Sequence, residues 1–269
     1  MKPSVLALAL TRLNIGRVAY AVTEWNALNR KATSWFQQGN YTKAAVAATK
    51  AVLAAEQVLG PDHPDVATGL NNLGMLCYAR EQFTKAETLH KRALTIREKA
   101  FGPDHPDVAQ SLNNLGILYS AQRQHAKAEP LLRRALAVRT ETLGLGHPCV
   151  ATSLDNLAAL YDDQEQYAKA EPLYHRALAI RTETLGPNHP DIATSLNNLA
   201  YSYSEQGKYA KAEPLFQRAL AIQEKALGLN HPDVATSLKN IAVLYRRTGR
   251  ENSAKQLEDR AAKIHTTRR

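Results

Sequence analysis

Apolar residues recur along most of the chain with the period of a helix. Val66, Leu70, Leu73 and Cys77 stand at i, i+4, i+7 and i+11, which is one helical face. The same face returns as Val108, Leu112, Leu115 and Tyr119, then as Val150, Leu154, Leu157 and Tyr161. A second stripe, Ala86, Leu89, Ala93 and Ile96, follows the first and stops at Gly102. Between the two lies a short polar turn, written "AREQF", "AQRQH", "DQEQY" and "EQGKY" in successive copies. The pattern predicts a helix, a tight turn and a second helix, over and over.

The repetition is close to literal. "LGPDHPDVATGLNNLG" at Leu59 becomes "LGPNHPDIATSLNNLA" at Leu185, with three further copies. The His-Pro pairs at 63–64, 105–106, 147–148, 189–190 and 231–232 are spaced by a constant 42 residues. A repeat of this length is one brick of a stacked array, because no single brick buries its apolar face alone. Six units are expected, at about 25–60, 61–102, 103–144, 145–186, 187–228 and 229–267. The first is degenerate and is carried by "WFQQGNYTKAAVAATKAVLAAEQVLG". Residues 1–24 read as a lead-in helix or a weak targeting segment, and 268–269 as a basic tail end.

Local signals agree with two helices per unit. Gly60 suits the end of one helix, and Pro64 with Asp65 suits the first turn of the next. Thr84 with Glu87 fits a capping box for the second helix. Pro130, Pro172 and Pro214 are expected in first turns, where their missing amide costs nothing.

Composition narrows the reading. Hydrophobic residues make up 44% and aromatics only 6%, with Ala and Leu dominant, which suits closely packed helices. The formal charge of +9 bears on partners rather than on fold. Cys77 and Cys149 follow no CxxC pattern and read as free thiols in a reducing compartment, the cytoplasm. No apolar run approaches the roughly 20 residues that span a bilayer. Arg12 and Arg17 interrupt the apolar stretch that a secretory signal needs.

The pattern L-x-x-L-[GA]-x-x-Y, an aromatic six residues later and A-x(6)-A-L resembles the tetratricopeptide repeat. The 42-residue period and the "LGPDHPDVA…LNNLA" phrase are similar to the kinesin light chain type of that repeat. The resemblance covers roughly residues 25–267. It implies an all-α fold, a right-handed superhelical solenoid of antiparallel helix pairs, with first helices lining a concave face. It implies no motor, since no coiled-coil heptads are present.

That inner face is the natural binding surface of a solenoid. A stripe opposite the core carries Asn in one slot five times: Asn72, Asn114, Asn156, Asn198 and Asn240. Helix propensity does not explain it, and the amide offers both a donor and an acceptor. The resemblance implies that such Asn side chains hold peptide backbone; the alternative is a bond to a neighbouring helix. Met75 and Tyr201, with Ile117 and Val243, either form shallow pockets or pack between first helices. Asp155, Asp162 and Asp163 give way to Lys239, Arg246 and Arg247 along the face, so Asp163 and Arg247 mark its two signs. Arg92, Arg134, Arg176 and Arg218, and likewise Arg97, Arg139 and Arg181, read as a solvated outer face or an anion-contact strip.

Enzyme chemistry finds no footing. The sequence has no G-x-S-x-G, Walker loop, H-E-x-x-H or G-x-G-x-x-G. The five His-Pro histidines are one repeat apart, cannot converge on one metal, and read as loop-and-cap residues. No cofactor is expected, and no basic-aromatic platform points to nucleic acid. The reading is a non-catalytic scaffold for an extended or helical peptide segment of a protein ligand. The alternative is a self-association module that stacks into a homo-oligomer through uncapped ends.

Overall fold

The computed structural model describes residues 23–36 and 38–266. The expected lead-in or targeting segment at 1–22 and the tail at 268–269 lie outside the described residues. The described chain is all-α, a stack of antiparallel helix pairs. The first pair is α1 (23–36) with α2 (Tyr41–Leu59). Then come α3 (Pro64–Ala79) with α4 (Phe83–Phe101), and α5 (Pro106–Ala121) with α6 (His125–Leu143). They are followed by α7 (Pro148–Asp162) with α8 (Tyr167–Leu185), α9 (Pro190–Glu205) with α10 (Tyr209–Leu227), and α11 (Pro232–Arg247) with α12 (Glu251–Thr266). Two compact units, Met1–Val138 and Arg139–Arg269, divide the chain within α6.

The His-Pro phrase starts each first helix. His63 sits at the N-cap, and its Nδ1 accepts the Asp65 amide at 3.2 Å. His105, His147, His189 and His231 repeat this cap. Proline at the next position needs no amide partner, and Asp65, Asp107, Asp191 and Asp233 face the positive end of the helix dipole. Gly60 closes the preceding helix at φ 88°, a conformation that a side chain would strain.

Inside each unit the two stripes meet. Val66, Leu70, Ala93 and Ile96 are buried together, as are Val108, Leu112, Ala135 and Val138. In the C-terminal unit, Ile192, Leu196, Ala219 and Ile222 form one cluster, and Val234, Leu238, Ala261 and Ile264 another. Small residues let the helices close: a Cβ added to Gly74 would lie 2.6 Å from His90 Cε1.

Three local expectations are corrected. Thr84 does not cap α4: the helix begins at Phe83, and the N-cap Gln82 makes no side-chain cap bond. Phe83 packs against the core, which draws it into the helix ahead of Thr84. Glu87 instead accepts the Tyr119 hydroxyl at 2.8 Å and pairs with Lys91. Pro130, Pro172 and Pro214 lie in the second turn, five residues after His125, Tyr167 and Tyr209. All three are exposed, so the carbonyl each frees can be hydrated.

The third correction concerns arginine. Arg97, Arg139 and Arg181 are buried, not solvated. Arg97 donates to the Asp107 carbonyl at 2.8 Å, to Ser111 Oγ at 3.1 Å and to Thr68 Oγ1 at 3.1 Å. It thereby ties α4 to the first helix on each side. Arg139 donates to Ser153 Oγ at 2.8 Å, and Arg181 bonds Asp155 and Ser195. Gln223 stands in the same slot and accepts the Ser237 hydroxyl at 2.6 Å.

Candidate ligand-binding face of the first helices

The core of each first helix faces its second helix, so the opposite stripe stays open. In the N-terminal unit this stripe borders a cavity of about 230 Å³. Asn72 and Met75 of α3 line it with Asn29, Thr33 and Phe36 of α1. Phe36 is 48% exposed and Met75 39%, so the cavity offers apolar surface beside three polar side chains. Phe36 leans on Tyr41 with ring centroids 5.5 Å apart.

The phrase "LNNL" divides its labour between two neighbouring asparagines. The first points inward: Asn71 accepts from His90 Nδ1 at 2.9 Å and donates to Ser111 Oγ at 2.8 Å. Asn197 likewise donates to Ser237 Oγ at 3.0 Å. The second points outward. Asn72 is exposed, and Asn156, Asn198 and Asn240 are half-buried. Among the described residues, Asn72, Asn198 and Asn240 make no side-chain hydrogen bond. Asn114 departs from the series: it is buried and accepts Gln110 Nε2 at 2.9 Å within its own helix.

The C-terminal unit carries the charged part of the face. Tyr201 is 56% exposed and Val243 49%, with Asp163 exposed nearby in sequence register. Arg247 does not stand alone: it pairs with Glu205 at 2.8 Å and reaches the Ser204 carbonyl. Arg246 turns away to Glu251 and Glu258, so it is not part of this face. Asp155 is also removed from it, buried against Arg181. Asp162 accepts the Ser202 hydroxyl at 2.9 Å. Burial, reinforced by Asp163 and Glu205, pushes its carboxyl up to about 6. Tyr201 is raised too, first by burial and then by Glu205.

Sequence reading did not single out Asn29, Thr33 or Phe36, because the first helix pair is too worn to align by eye. Nor did it find the inward Asn and Arg struts. Their signal was present: Arg97 lies four residues after Ala93, on the buried side of its helix. Among the described residues, no three His, Cys, Asp or Glu side chains are grouped to hold a metal ion. Among them also, no helix is long and apolar enough to cross a membrane.

Comparison with known proteins places these features. The family described as "Tetratricopeptide repeat" matches residues 23–99, 65–141, 122–174, 149–225 and 192–267. Among curated proteins there is no significant match. A solved Podosopora anserina protein, described as a kinesin light chain with nearly identical TPR-like repeats, is similar at 27% identity and TM-score 0.60. The alignment covers 75% of this chain and 95% of that one. BtubC (BKLC) from P. vanneervenii shares the fold at 24% identity and TM-score 0.64, over 90% of this chain and 92% of its own. A Rap protein complexed with competence and sporulation factor does so at 19% identity and TM-score 0.66, over 91% and 75%.

Proposed function

The chain belongs to the tetratricopeptide repeat family, and from that membership we propose that it is a non-catalytic protein-interaction scaffold. Its ligand is an extended or helical peptide segment, held on the face of the first helices. One observation carries the reading: Asn72 leaves its amide unused on the rim of the cavity that Phe36 and Met75 make apolar. An amide that both donates and accepts can pair with a peptide main chain whatever its sequence. The apolar floor then takes a side chain, and Asn198 and Asn240 offer the same amide in the C-terminal unit. The Rap protein, solved with a bound factor, has this fold and supports the reading by analogy. Copies stacking through the array end fit less well, since exposed α12 positions Glu251, Lys255, Gln256, Asp259 and Lys263 are polar.

Selection of displayed random peptides on the full chain tests the proposal. Peptides enriched on the wild type should bind at least about tenfold more weakly to an Asn72→Ala, Asn198→Ala, Asn240→Ala variant with unchanged circular dichroism. Equal affinity for the folded variant would place binding elsewhere.

A further inference from the structure

One ion pair recurs along the outer side of the second helices. Arg92 of α4 meets Glu56 of α2 at 2.5 Å, and Arg134 of α6 meets Glu98 of α4 at 2.9 Å. Arg260 of α12 meets Glu224 of α10 at 2.5 Å. In every case the acid stands 36 residues before the arginine. The same interval puts Thr140 before Arg176 and Thr182 before Arg218. Threonine carries no charge, and the Thr182 hydroxyl is already donated to the Leu178 carbonyl at 2.8 Å. Among the described residues, Arg176 and Arg218 form no ion pair and no side-chain hydrogen bond, and both are exposed. Two guanidinium groups on α8 and α10 thus lack the carboxylate that three sister arginines have.

We propose that Arg176 and Arg218 form a docking strip for an acidic peptide segment of a protein partner. Each guanidinium presents a planar fork that matches a carboxylate. Equivalent positions on packed repeats lie on the order of 10 Å apart. An extended peptide advances roughly 3.3 Å per residue, so acids about three residues apart meet both arginines. The strip suits such a peptide better than a polyphosphate. Glu141 and Glu183 stand next to the two threonines, and no aromatic ring of α8 or α10 is exposed for base stacking. This site is separate from the first-helix face and does not depend on it.

The probe is a synthetic (Glu-Gly-Gly)4 peptide, with (Gln-Gly-Gly)4 as its neutral control. It is titrated into the full chain while arginine Nε–H resonances are followed by NMR. The Arg176 and Arg218 resonances should move together, and those of Arg92, Arg134 and Arg260 should stay. Added salt and the neutral peptide should each abolish the shifts. A Thr140→Glu, Thr182→Glu variant restores the missing acids and should weaken binding about fivefold, as expected for two exposed pairs. Because it recreates a pair seen three times, it should melt no lower than the wild type, so lost binding is not lost fold. Equal shifts at all five arginines, unchanged binding by the double variant, or tighter binding of a single-stranded oligonucleotide would each overturn the proposal.

Discussion

The Arg181 guanidinium is buried against the Asp155 carboxylate, an ion pair that joins α8 to α7. Sister repeats hold Arg97 and Arg139 in the same place with Asn71 and Asn113 where Asp155 stands. They satisfy the cation with serine hydroxyls and carbonyls instead. The two halves of the pair should therefore differ. Asp155→Asn recreates the sister arrangement and should cost about 1 kcal/mol or less. Arg181→Met strands a buried carboxylate, which burial already pushes toward its neutral form, and should cost about 3–5 kcal/mol. Urea unfolding of the two variants checks this; equal losses would refute the asymmetry.

His90 makes the N-terminal unit sensitive to acid. Its Nδ1 donates to Asn71 Oδ1 at 2.9 Å, and its Nε2 is buried without a partner. Burial pushes the imidazole from 6.5 down to about 4. The unfolded chain therefore binds the proton first. Stability from this group is full above pH 6.5 and is lost as pH falls toward 4, by up to about 3 kcal/mol. Leu132 fills the same slot one repeat on. His90→Leu should flatten the slope of stability between pH 6.5 and 4, read by thermal melts. An unchanged slope would exclude His90 as its source.

Asp162 has the opposite sign and lies in the C-terminal unit. Its carboxyl titrates near 6 in the folded chain, above the usual 3.8, chiefly because it is partly buried. The folded state holds the proton more tightly, so this group's contribution is best below pH 4 and declines as pH rises through 6. Asp162→Asn keeps an acceptor for Ser202 Oγ and removes the titration. The variant should gain stability over the wild type at pH 7 and lose that advantage at pH 4. A constant difference across that range would contradict the assignment.

The pairing of helices was legible because its cause is local. Val66, Leu70, Leu73 and Cys77 declare a face by spacing alone, and every one of them is buried. The candidate face was legible in the same way, as the stripe left over. What spacing could not resolve was the choice between adjacent polar residues. Asn71 and Asn72 are both polar and one helical step of about 100° apart, yet one reaches Ser111 and the other faces the cavity. Arg97 was misread for a related reason. A charged residue is assigned to solvent unless its partners are seen, and Ser111, Thr68 and the Asp107 carbonyl come from two other helices.

Gly74 measures how closely α3 and α4 approach. A methyl group there would meet three atoms of the His90 ring at 2.6–2.9 Å, and that ring is anchored to Asn71. Ala158 and Ala200 occupy the equivalent positions later in the chain, opposite Tyr174 and Phe216, so alanine itself suits the helix. The clash belongs to the pair and not to propensity. Gly74→Ala should destabilise by about 1–3 kcal/mol through overpacking. In a His90→Ala background the same methyl enters the space the ring has left, and it should be neutral or stabilising. A double-mutant cycle isolates this coupling, expected at about 1 kcal/mol or more. Additive effects of the two substitutions would mean that the helices move apart freely, and that glycine at this position is not what sets their separation.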